Sequence, residues 1–375
     1  MKFDCKRLDK PFYDFDNNTA YSPYSGLKEN GPWDANSGNR DFDEIEVVYV
    51  NMTDLPRDRV NRYHSHLFEG AKDSHNSDFK GIKELFNINQ VHFSIKEDYE
   101  DVEEGEFPII IFSNVEHRNS AKRYLMENNI FSQAISEKEI LFGQADYYWS
   151  KMENIALGIY AKNGGKPWKF DREHRKNIAG FDIRRNKQRD EVKFSLQIVQ
   201  DDGVWKKSVT RVVDYTGLKQ EFREVLESED IDVLHINGHL NDKDLEEVLN
   251  DLDMPYIEVM KRQYFRLYNL SDNTRTPEVG MCVKITDNLY TLSTTGKPYS
   301  HQGTPKCLKI RINQADGYRH KELLTDINFL SKATYNSTRE MTKHPITTHY
   351  AKKASDNLQK GIVPEKEYQE IPWFL

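Results

Sequence analysis

The order of the predicted elements changes partway along the chain, and this change constrains the fold more than any single motif. In the first half, strand patterns alternate with helical patterns, and the strands are at 44–51, 90–95, 107–113 and 131–136. Strands that alternate with helices form a parallel sheet. In the second half, three strand patterns follow one another, at 178–185, 191–200 and 206–215. We therefore predict two α/β domains of different topology, with a boundary near residue 165.

The second half has the element order of a ribonuclease H-like domain. After the three strands, helices are predicted at 217–228 and 241–252, and each is followed by a strand. Residues 1–43 are rich in Asn, Asp, Gly and Pro, which predicts turns and loose hairpins. We predict an N-terminal extension over 1–40, a parallel-sheet domain over 41–165 and a ribonuclease H-like domain over 166–375.

Composition excludes several classes of protein. No run of about 18 apolar residues is present, so no transmembrane helix and no membrane insertion are expected. The N-terminal residues have no apolar segment of a signal peptide. Cys5, Cys282 and Cys307 are odd in number and form no C-x-x-C pair, which argues against disulfide frameworks and zinc sites. A reducing cytoplasm is the expected location.

The net charge of −8 argues against nucleic acid, but the charges are segregated. Residues 97–106, EDYEDVEEGE, are almost purely acidic. Residues 162–189 contain ten Lys or Arg against three acids, and 319–360 are also basic. A charge run is usually a solvated face, and that interpretation is favoured for either basic run taken alone. Charge alone therefore leaves nucleic-acid binding open.

Four hydrogen-bond donors in the first domain have a spacing that suits a terminal phosphate. Arg118 and Lys122 are spaced i, i+4, so they share one face of the helix predicted at 117–129. Gln133 follows where the chain enters a strand, and Lys162 ends the next long helix. Arg binds phosphate through a fork of donors and Lys as a point charge. The same spacing also fits solvated helix residues and a lysine at a helix C-terminus.

The stretch from Arg118 to Lys162, followed by GGKPW, resembles the MID domain of prokaryotic Argonaute proteins. In that family a similar set of donors binds the 5′-phosphate of a guide strand. IAGFDIRR and VLHINGHL resemble the family's PIWI strands, and the tail IPWFL resembles archaeal-type short Argonautes that consist of MID and PIWI domains only. The resemblance covers about residues 25–375. It implies a Rossmann-like parallel-sheet MID domain followed by a ribonuclease H-like PIWI domain.

The apolar tail, residues 371–375, is predicted to be buried. The resemblance places the carboxylate of Leu375 beside the guide phosphate, where a cation such as Mg²⁺ would have to offset their repulsion. Some relatives supply a Gln ligand for this metal, and Gly158 stands at that position. Two expectations stay open: a magnesium ion between Leu375 and the phosphate, or a tail that only fills a core.

The resemblance also locates the positions of a ribonuclease H-like metal site. Asp182 fits the first acid, but Asn237 stands at the second and Lys352 at the last. Two divalent ions need clustered carboxylates, which Asn and Lys do not supply. We predict a catalytically inactive PIWI domain without catalytic metal, in which Asp182 pairs with a nearby cation. Glu221, Glu224, His235 and His239 lie near these positions in the sequence and are not assigned as ligands.

Arg339 and Lys343, again spaced i, i+4, are predicted to contact the guide backbone or to lie on a solvated face. The resemblance implies a short RNA or DNA guide, a complementary strand that is recognised without cleavage, and a role in host defence. It also implies an effector or N-lobe-like companion protein, and self-association through a sheet edge is a further alternative. The competing functions are an active guide-directed, metal-dependent endonuclease and a scaffold protein without nucleic acid.

Overall fold

A computed structural model gives the structure of the chain. The described residues are 5–16, 18–35, 42–72, 78–141, 148–186, 188–261, 266–268, 276–295, 306–315, 317–335, 337 and 344–375. They group into two compact units. The parallel-sheet unit contains the described residues of 12–169, 335–338 and 357–375, and the mixed-sheet unit those of 1–11, 170–334 and 339–356. The domain bounds at 40 and 165 stay a prediction.

The helices of the described residues are, in chain order, α1 (Pro23–Asn30), α2 (Arg57–Glu69), α3 (Gly81–Phe86), α4 (Val115–Glu127), α5 (Glu137–Leu141), α6 (Tyr148–Lys162), α7 (Leu218–Ser228), α8 (Lys243–Asp251), α9 (His320–Leu330) and α10 (Ile346–Gln359). The helices predicted at 117–129, 217–228 and 241–252 are present with ends close to the predicted ones, whereas α1 and α5 were not predicted. A 3-10 helix lies at Tyr99–Asp101. Each helix in this set is too short or too polar to cross a bilayer.

The strands are likewise given in chain order. They are β1 (Cys5–Arg7), β2 (Tyr13–Asp14), β3 (Thr19–Ala20), β4 (Glu44–Asn51), β5 (Ala71–Lys72), β6 (Asp78–Phe79), β7 (Gln90–Lys96), β8 (Phe107–Phe112), β9 (Gln133–Ser136), β10 (Lys169–Phe170), β11 (Asn177–Asn186), β12 (Glu191–Gln200), β13 (Trp205–Val213), β14 (Val233–Asn237), β15 (Tyr256–Met260), β16 (Met281–Lys284), β17 (Leu289–Leu292), β18 (Leu308–Gln314) and β19 (Tyr368–Gln369). The two halves differ in strand arrangement as the element order predicts.

The parallel-sheet unit is built on a sheet of order β7-β4-β8-β9 in which all neighbours are parallel. Its central strands are apolar because helices cover both faces of such a sheet. Val48 and Val50 on β4 pack with Ile110 on β8 and with Ala121 and Leu125 on α4. This packing seats α4 on the sheet and positions its side chains next to β9.

The mixed-sheet unit contains a larger sheet of order β1-β16-β17-β18-β15-β14-β11-β12-β13. Strands β11, β14 and β15 are parallel, whereas β11–β12 and β12–β13 are antiparallel. Phe181, Phe194 and Phe222 form an aromatic cluster under this sheet, with ring centroids 4.9–6.2 Å apart. A parallel sheet and a large mixed sheet confirm the predicted α/β fold class.

The prediction of turns and loose hairpins over 1–43 is wrong in part. β1 pairs antiparallel with β16, and α1 is a helix that starts with Pro23, a residue suited to the first helical turn. Asp34 is fully buried, accepts a hydrogen bond from the Tyr160 hydroxyl and accepts another from the Lys166 backbone N–H at 2.6 Å. These polar residues are ordered because distant segments satisfy their hydrogen-bonding groups.

Candidate functional site

The structure brings together Gln133 and Lys162. Lys162 is the last residue of α6 and is 1% exposed, while Gln133 is the first residue of β9. The Lys162 ammonium donates to Oε1 of Gln133 at 2.9 Å and to the backbone carbonyl of Ser132 at 2.9 Å. A buried ammonium requires such partners because its desolvation is costly. Its place at the end of α6 adds the favourable interaction of a cation with the helix C-terminus.

Gly158 lies one turn before Lys162 on α6, and it faces the same glutamine. A Cβ atom at this position would lie 3.3 Å from Oε1 of Gln133, which is closer than ordinary van der Waals contact. The absence of a side chain therefore lets the Gln133 amide lie against α6. The position that the sequence suggested for a missing metal ligand is thus in direct contact with the glutamine that holds Lys162.

Arg118 and Lys122 lie one turn apart on α4, and both are partly buried. The Arg118 guanidinium donates to Oδ1 of Asn119 at 2.9 and 3.2 Å, and its carbon lies 5.2 Å from the centroid of the Phe112 ring. Helix geometry thus places this pair on one side of α4, whereas hydrogen bonding joins Gln133 to Lys162.

The apolar tail is buried as predicted, with Trp373 and Phe374 each 4% exposed. Leu375 is half-buried, and its backbone N–H donates to the carbonyl of Pro372 at 3.1 Å. The proposed guide-backbone residues Arg339 and Lys343 lie outside the described residues.

Asp182 and Asn237 are neighbours because of the register of two parallel strands. Phe181 of β11 is aligned with Ile236 of β14, so the next residues along both strands lie side by side. Nδ2 of Asn237 donates to Oδ1 of Asp182 at 2.5 Å. Gly180 allows α10 to pack directly on β11, since a Cβ there would lie 2.1 Å from the backbone of Thr347. This close packing brings the side chains of α10 to Asp182.

Arg184 holds two carboxylates at this site. Its Nη2 lies 3.1 Å from Oδ2 of Asp182 and donates to Oδ1 of Asp356 at 3.0 Å. Lys352 forms its ion pair with Asp356, one turn further along α10. The cation beside Asp182 is therefore Arg184, which agrees with the predicted ion pair, whereas Lys352 neutralises a different acid.

Burial shifts the pKa of three ionisable groups on β11 and α10 in the direction that favours the neutral form. Burial raises the pKa of the Asp182 carboxyl, and the charge of Arg184 and the hydrogen bond from Asn237 lower it in part. Burial also lowers the pKa of His349 to about 4 and that of Lys353 to about 8. The part of the chain that the structure describes contains no cluster of three His, Cys, Asp or Glu side chains that could hold a metal ion.

The other acids and histidines near the motif have structural partners. Glu221 pairs with Arg211 at 2.5 Å, and Glu224 accepts a hydrogen bond from Gln220. His235 is buried against the hydroxyl of Thr347, at 3.0 Å from Nδ1, and burial lowers its pKa to about 3. His239 contacts the carboxylate of Glu258.

Sequence reasoning did not assign Arg184 or Asp356 to this site. Both have a local signal. Arg184 is two residues from Asp182 on one strand, so their side chains share a face, and Asp356 is one helical turn from Lys352. What the sequence does not contain is the packing of α10 on Gly180, which brings the two pairs together.

No family model matches this sequence, and no curated protein matches it. Several solved structures do share its fold. Clostridium butyricum Argonaute bound to a guide DNA and a 19-mer target DNA superposes with a TM-score of 0.77 at 19% identity, over 100% of this chain and 55% of that one. Aquifex aeolicus Argonaute superposes with a TM-score of 0.69 at 18% identity, over 99% and 55%. A structure of Aa-Ago with externally bound siRNA gives 0.69 and 18%, over 99% and 56%.

This chain thus spans about half the length of the Argonaute structures that it matches. Within that span, both the parallel sheet and the large mixed sheet have counterparts. The chain has the fold of the Argonaute proteins over the part of those structures that it covers.

Proposed function

We propose that this protein binds the 5′-phosphorylated end of a short guide strand and uses the guide to recognise a complementary strand without cutting it. The neighbour from Clostridium butyricum holds a guide DNA and a target DNA, and the fold likeness supports the same class of ligand here. The resemblance of Arg118, Lys122, Gln133 and Lys162 to a guide-end site supports the location.

The observation that carries the proposal is the buried contact between Lys162 and Gln133. The Lys162 ammonium is 1% exposed, and it donates to Oε1 of Gln133 and to the backbone carbonyl of Ser132. A phosphate oxygen beside this pair would accept charge-assisted hydrogen bonds, which are shorter and stronger than neutral ones. The arrangement suits an anion better than it suits a neutral ligand.

The absence of cutting rests on the contacts of Asp182. A catalytic pair of divalent ions needs carboxylate oxygens that are free of competing donors. Here one oxygen of Asp182 accepts from Asn237, and the other faces the Arg184 guanidinium, which also holds Asp356. These residues do not fit a catalytic metal site. An active nuclease would require Arg184 to leave both acids.

The test is a single reaction that contains the protein, a 5′-phosphorylated guide, a labelled complementary target and Mg²⁺ or Mn²⁺. The expected result is that the labelled target is retained by the protein and stays intact, whereas a scrambled target is not retained. Equal retention of both targets would contradict guided recognition. A cleavage product that disappears in an Asp182→Asn variant would instead support the alternative of an active endonuclease.

Three parts of the proposal rest on the resemblance alone. They are a magnesium ion at the guide phosphate, a companion protein and a role in defence. With Gly158 facing Gln133, α6 offers no side-chain ligand at that turn. Sequencing the nucleic acid that copurifies with the protein would identify the guide as RNA or DNA.

A further inference from the structure

A second basic site lies in the mixed-sheet unit. A cleft of about 640 Å³ opens between the residues before β11 and the start of α9. Five cationic side chains line it, Arg172, Arg175, Lys176, Arg319 and Lys321, against three acids. Arg172 and Arg175 also pair with Asp201 and Glu173, and Arg319 pairs with Glu322. The volume is in the range of pockets that hold small ligands.

Buried acids fix two of these cations in the wall of the cleft. Asp326 is 1% exposed and binds both the Lys176 ammonium and Nη1 of Arg172, the latter at 3.1 Å. Nη2 of Arg172 donates to Asp201 at 2.6 Å. Cations held in this way lose little further freedom when a ligand arrives, which favours binding.

Aromatic rings line the same cleft beside the fixed cations. The Lys176 ammonium lies 5.3 Å from the centroid of the Tyr318 ring, and the Arg172 guanidinium lies 5.5 Å from that of Phe329. Tyr318 and Phe329 are both partly exposed. A planar ligand can stack on such rings, as nucleobases do in single-strand-binding proteins.

The first turn of α9 adds donors at the edge of the cleft. Lys321 is exposed and forms no ion pair within the described ranges. The backbone N–H groups of His320 and Lys321 have no acceptor among the described residues, whereas Glu322 and Leu323 donate to the carbonyl of Arg319. Free N–H groups at the start of a helix favour a phosphate.

We propose that this cleft binds a nucleotide, with its phosphate at the start of α9 near Lys321 and its base against Tyr318 or Phe329. The nucleotide is either free or part of a strand, because both have the same phosphate and base. Lys176 precedes Asp182 by six residues along an extended strand, a separation of roughly 20 Å at about 3.3 Å per residue. The cleft is thus distinct from the Asp182 site, and it does not depend on the proposed guide site.

The test is a titration of the full chain with adenosine 5′-monophosphate, inorganic phosphate or a 5′-hydroxyl oligothymidine, followed by isothermal calorimetry. Lys321→Glu should weaken adenosine monophosphate binding by about tenfold or more, as expected for the loss of a charge-assisted contact. Lys243→Glu is the matched control, since Lys243 is an exposed lysine in the first turn of α8. It should leave the affinity unchanged.

Two further results would identify the parts of the ligand. At least one of Tyr318→Leu and Phe329→Leu should weaken nucleotide binding and leave the binding of inorganic phosphate unaffected, because only the base stacks on a ring. Weaker oligothymidine binding in Lys321→Glu would indicate a strand as the source, and an effect on the mononucleotide alone would indicate a free nucleotide. Lys321 is exposed, so its variant should fold, and a thermal melt checks this.

Three results would overturn the proposal. One is no saturable nucleotide binding at millimolar concentration. Another is an equal effect of Lys321→Glu and Lys243→Glu. The third is nucleotide binding that is lost in Lys162→Met but kept in Lys321→Glu, which would assign the ligand to the guide-end site and leave the proposed function intact.

Discussion

Asn237 donates a hydrogen bond to Asp182 across two parallel strands, and the distance between Nδ2 and Oδ1 is 2.5 Å. An active ribonuclease H-like site would have a carboxylate in place of this amide. The contact gives Asp182 a neutral donor on one oxygen while Arg184 supplies a cation on the other. The acid that the sequence suggested as a remnant of a metal site therefore has one hydrogen bond, on Oδ1, and one ion pair, at Oδ2, which accepts no hydrogen bond from the described residues.

A metal site should be recoverable at this position. In a variant with Asn237→Asp, Arg184→Ala and Lys352→Ala, the carboxylates at positions 182, 237 and 356 would have neither the guanidinium nor the ammonium that now pairs with them, and we expect Mn²⁺ to raise the melting temperature. The original protein should show no such rise, because Asp182 and Asp356 are both bound to Arg184. Thermal melts with and without millimolar Mn²⁺ measure the difference. An equal rise in both proteins would show that Arg184 does not exclude the metal.

The cations on α4 should contribute to guide affinity. Arg118→Ala and Lys122→Ala should each weaken the binding of a 5′-phosphorylated oligonucleotide by about 1.5–3 kcal/mol, the range of charge-assisted hydrogen bonds. This corresponds to a loss of affinity of roughly 10- to 150-fold. Arg123→Ala is the control on the same helix, since Arg123 is exposed and its Nη2 donates to Ser120. Fluorescence anisotropy provides the affinities. An equally large loss of affinity in Arg123→Ala would mean that the total charge of α4 determines binding, and that positions 118 and 122 have no special role.

Adding a methyl group at Gly158 should weaken guide-end binding without lowering the stability of the protein. Ala is about 1 kcal/mol more favourable than Gly inside a helix, so Gly158→Ala should leave the free energy of unfolding unchanged or raise it. The new Cβ would crowd Oε1 of Gln133 at 3.3 Å and displace it, which should weaken guide-end binding several-fold. A double-mutant cycle with Gln133→Ala measures the coupling. Independent effects of the two substitutions would contradict the contact.

Stability should fall in mild acid because His64 is buried in neutral form. Its ring stacks on Phe93 at 3.8 Å and on Phe68 at 4.6 Å, and burial lowers its pKa from 6.5 to about 4. The unfolded chain therefore binds more protons between these values. The stability contributed by neutral His64 is present above pH 6.5 and is lost as the pH falls toward 4, by about 3 kcal/mol at most.

His64→Phe removes this titration and also removes Nδ1, which is buried and has no hydrogen-bond partner in the described part of the chain. We expect the pH dependence of unfolding between 6.5 and 4 to flatten in this variant. His92→Phe is the control, since His92 is exposed on β7. Urea unfolding at several pH values is the measurement, and an unchanged slope in His64→Phe would refute the assignment.

Local patterns predicted the fold where each element buries its own apolar residues. The run Phe107–Phe112 reads as a buried strand and is one, and the end of α6 at Lys162 follows from Gly164 and Gly165. Residues 5–7 could not be assigned in this way, because their partner strand β16 lies more than 270 positions along the chain. Pairing at that distance leaves no periodicity in a three-residue segment.

The sequence predicted which residue types form the candidate site, but it did not predict most of the contacts between them. The order of Arg118, Lys122, Gln133 and Lys162 indicated a guide-end site only through the family resemblance, and the contact of Gly158 with Gln133 depends on how α6 packs on β9. The bridge from Arg184 to Asp356 depends on the packing of α10 against Gly180. Such contacts join segments whose separation in sequence hides them.

The most direct test of the account compares 5′-phosphorylated and 5′-hydroxyl versions of one oligonucleotide, in the original protein and in Lys162→Met. Lys138→Met, at an exposed lysine on α5, is the matched control. We predict that the original protein and the control prefer the phosphorylated strand by roughly tenfold or more, and that Lys162→Met loses most of this preference. Equal affinity of the original protein for both strands would contradict the central claim.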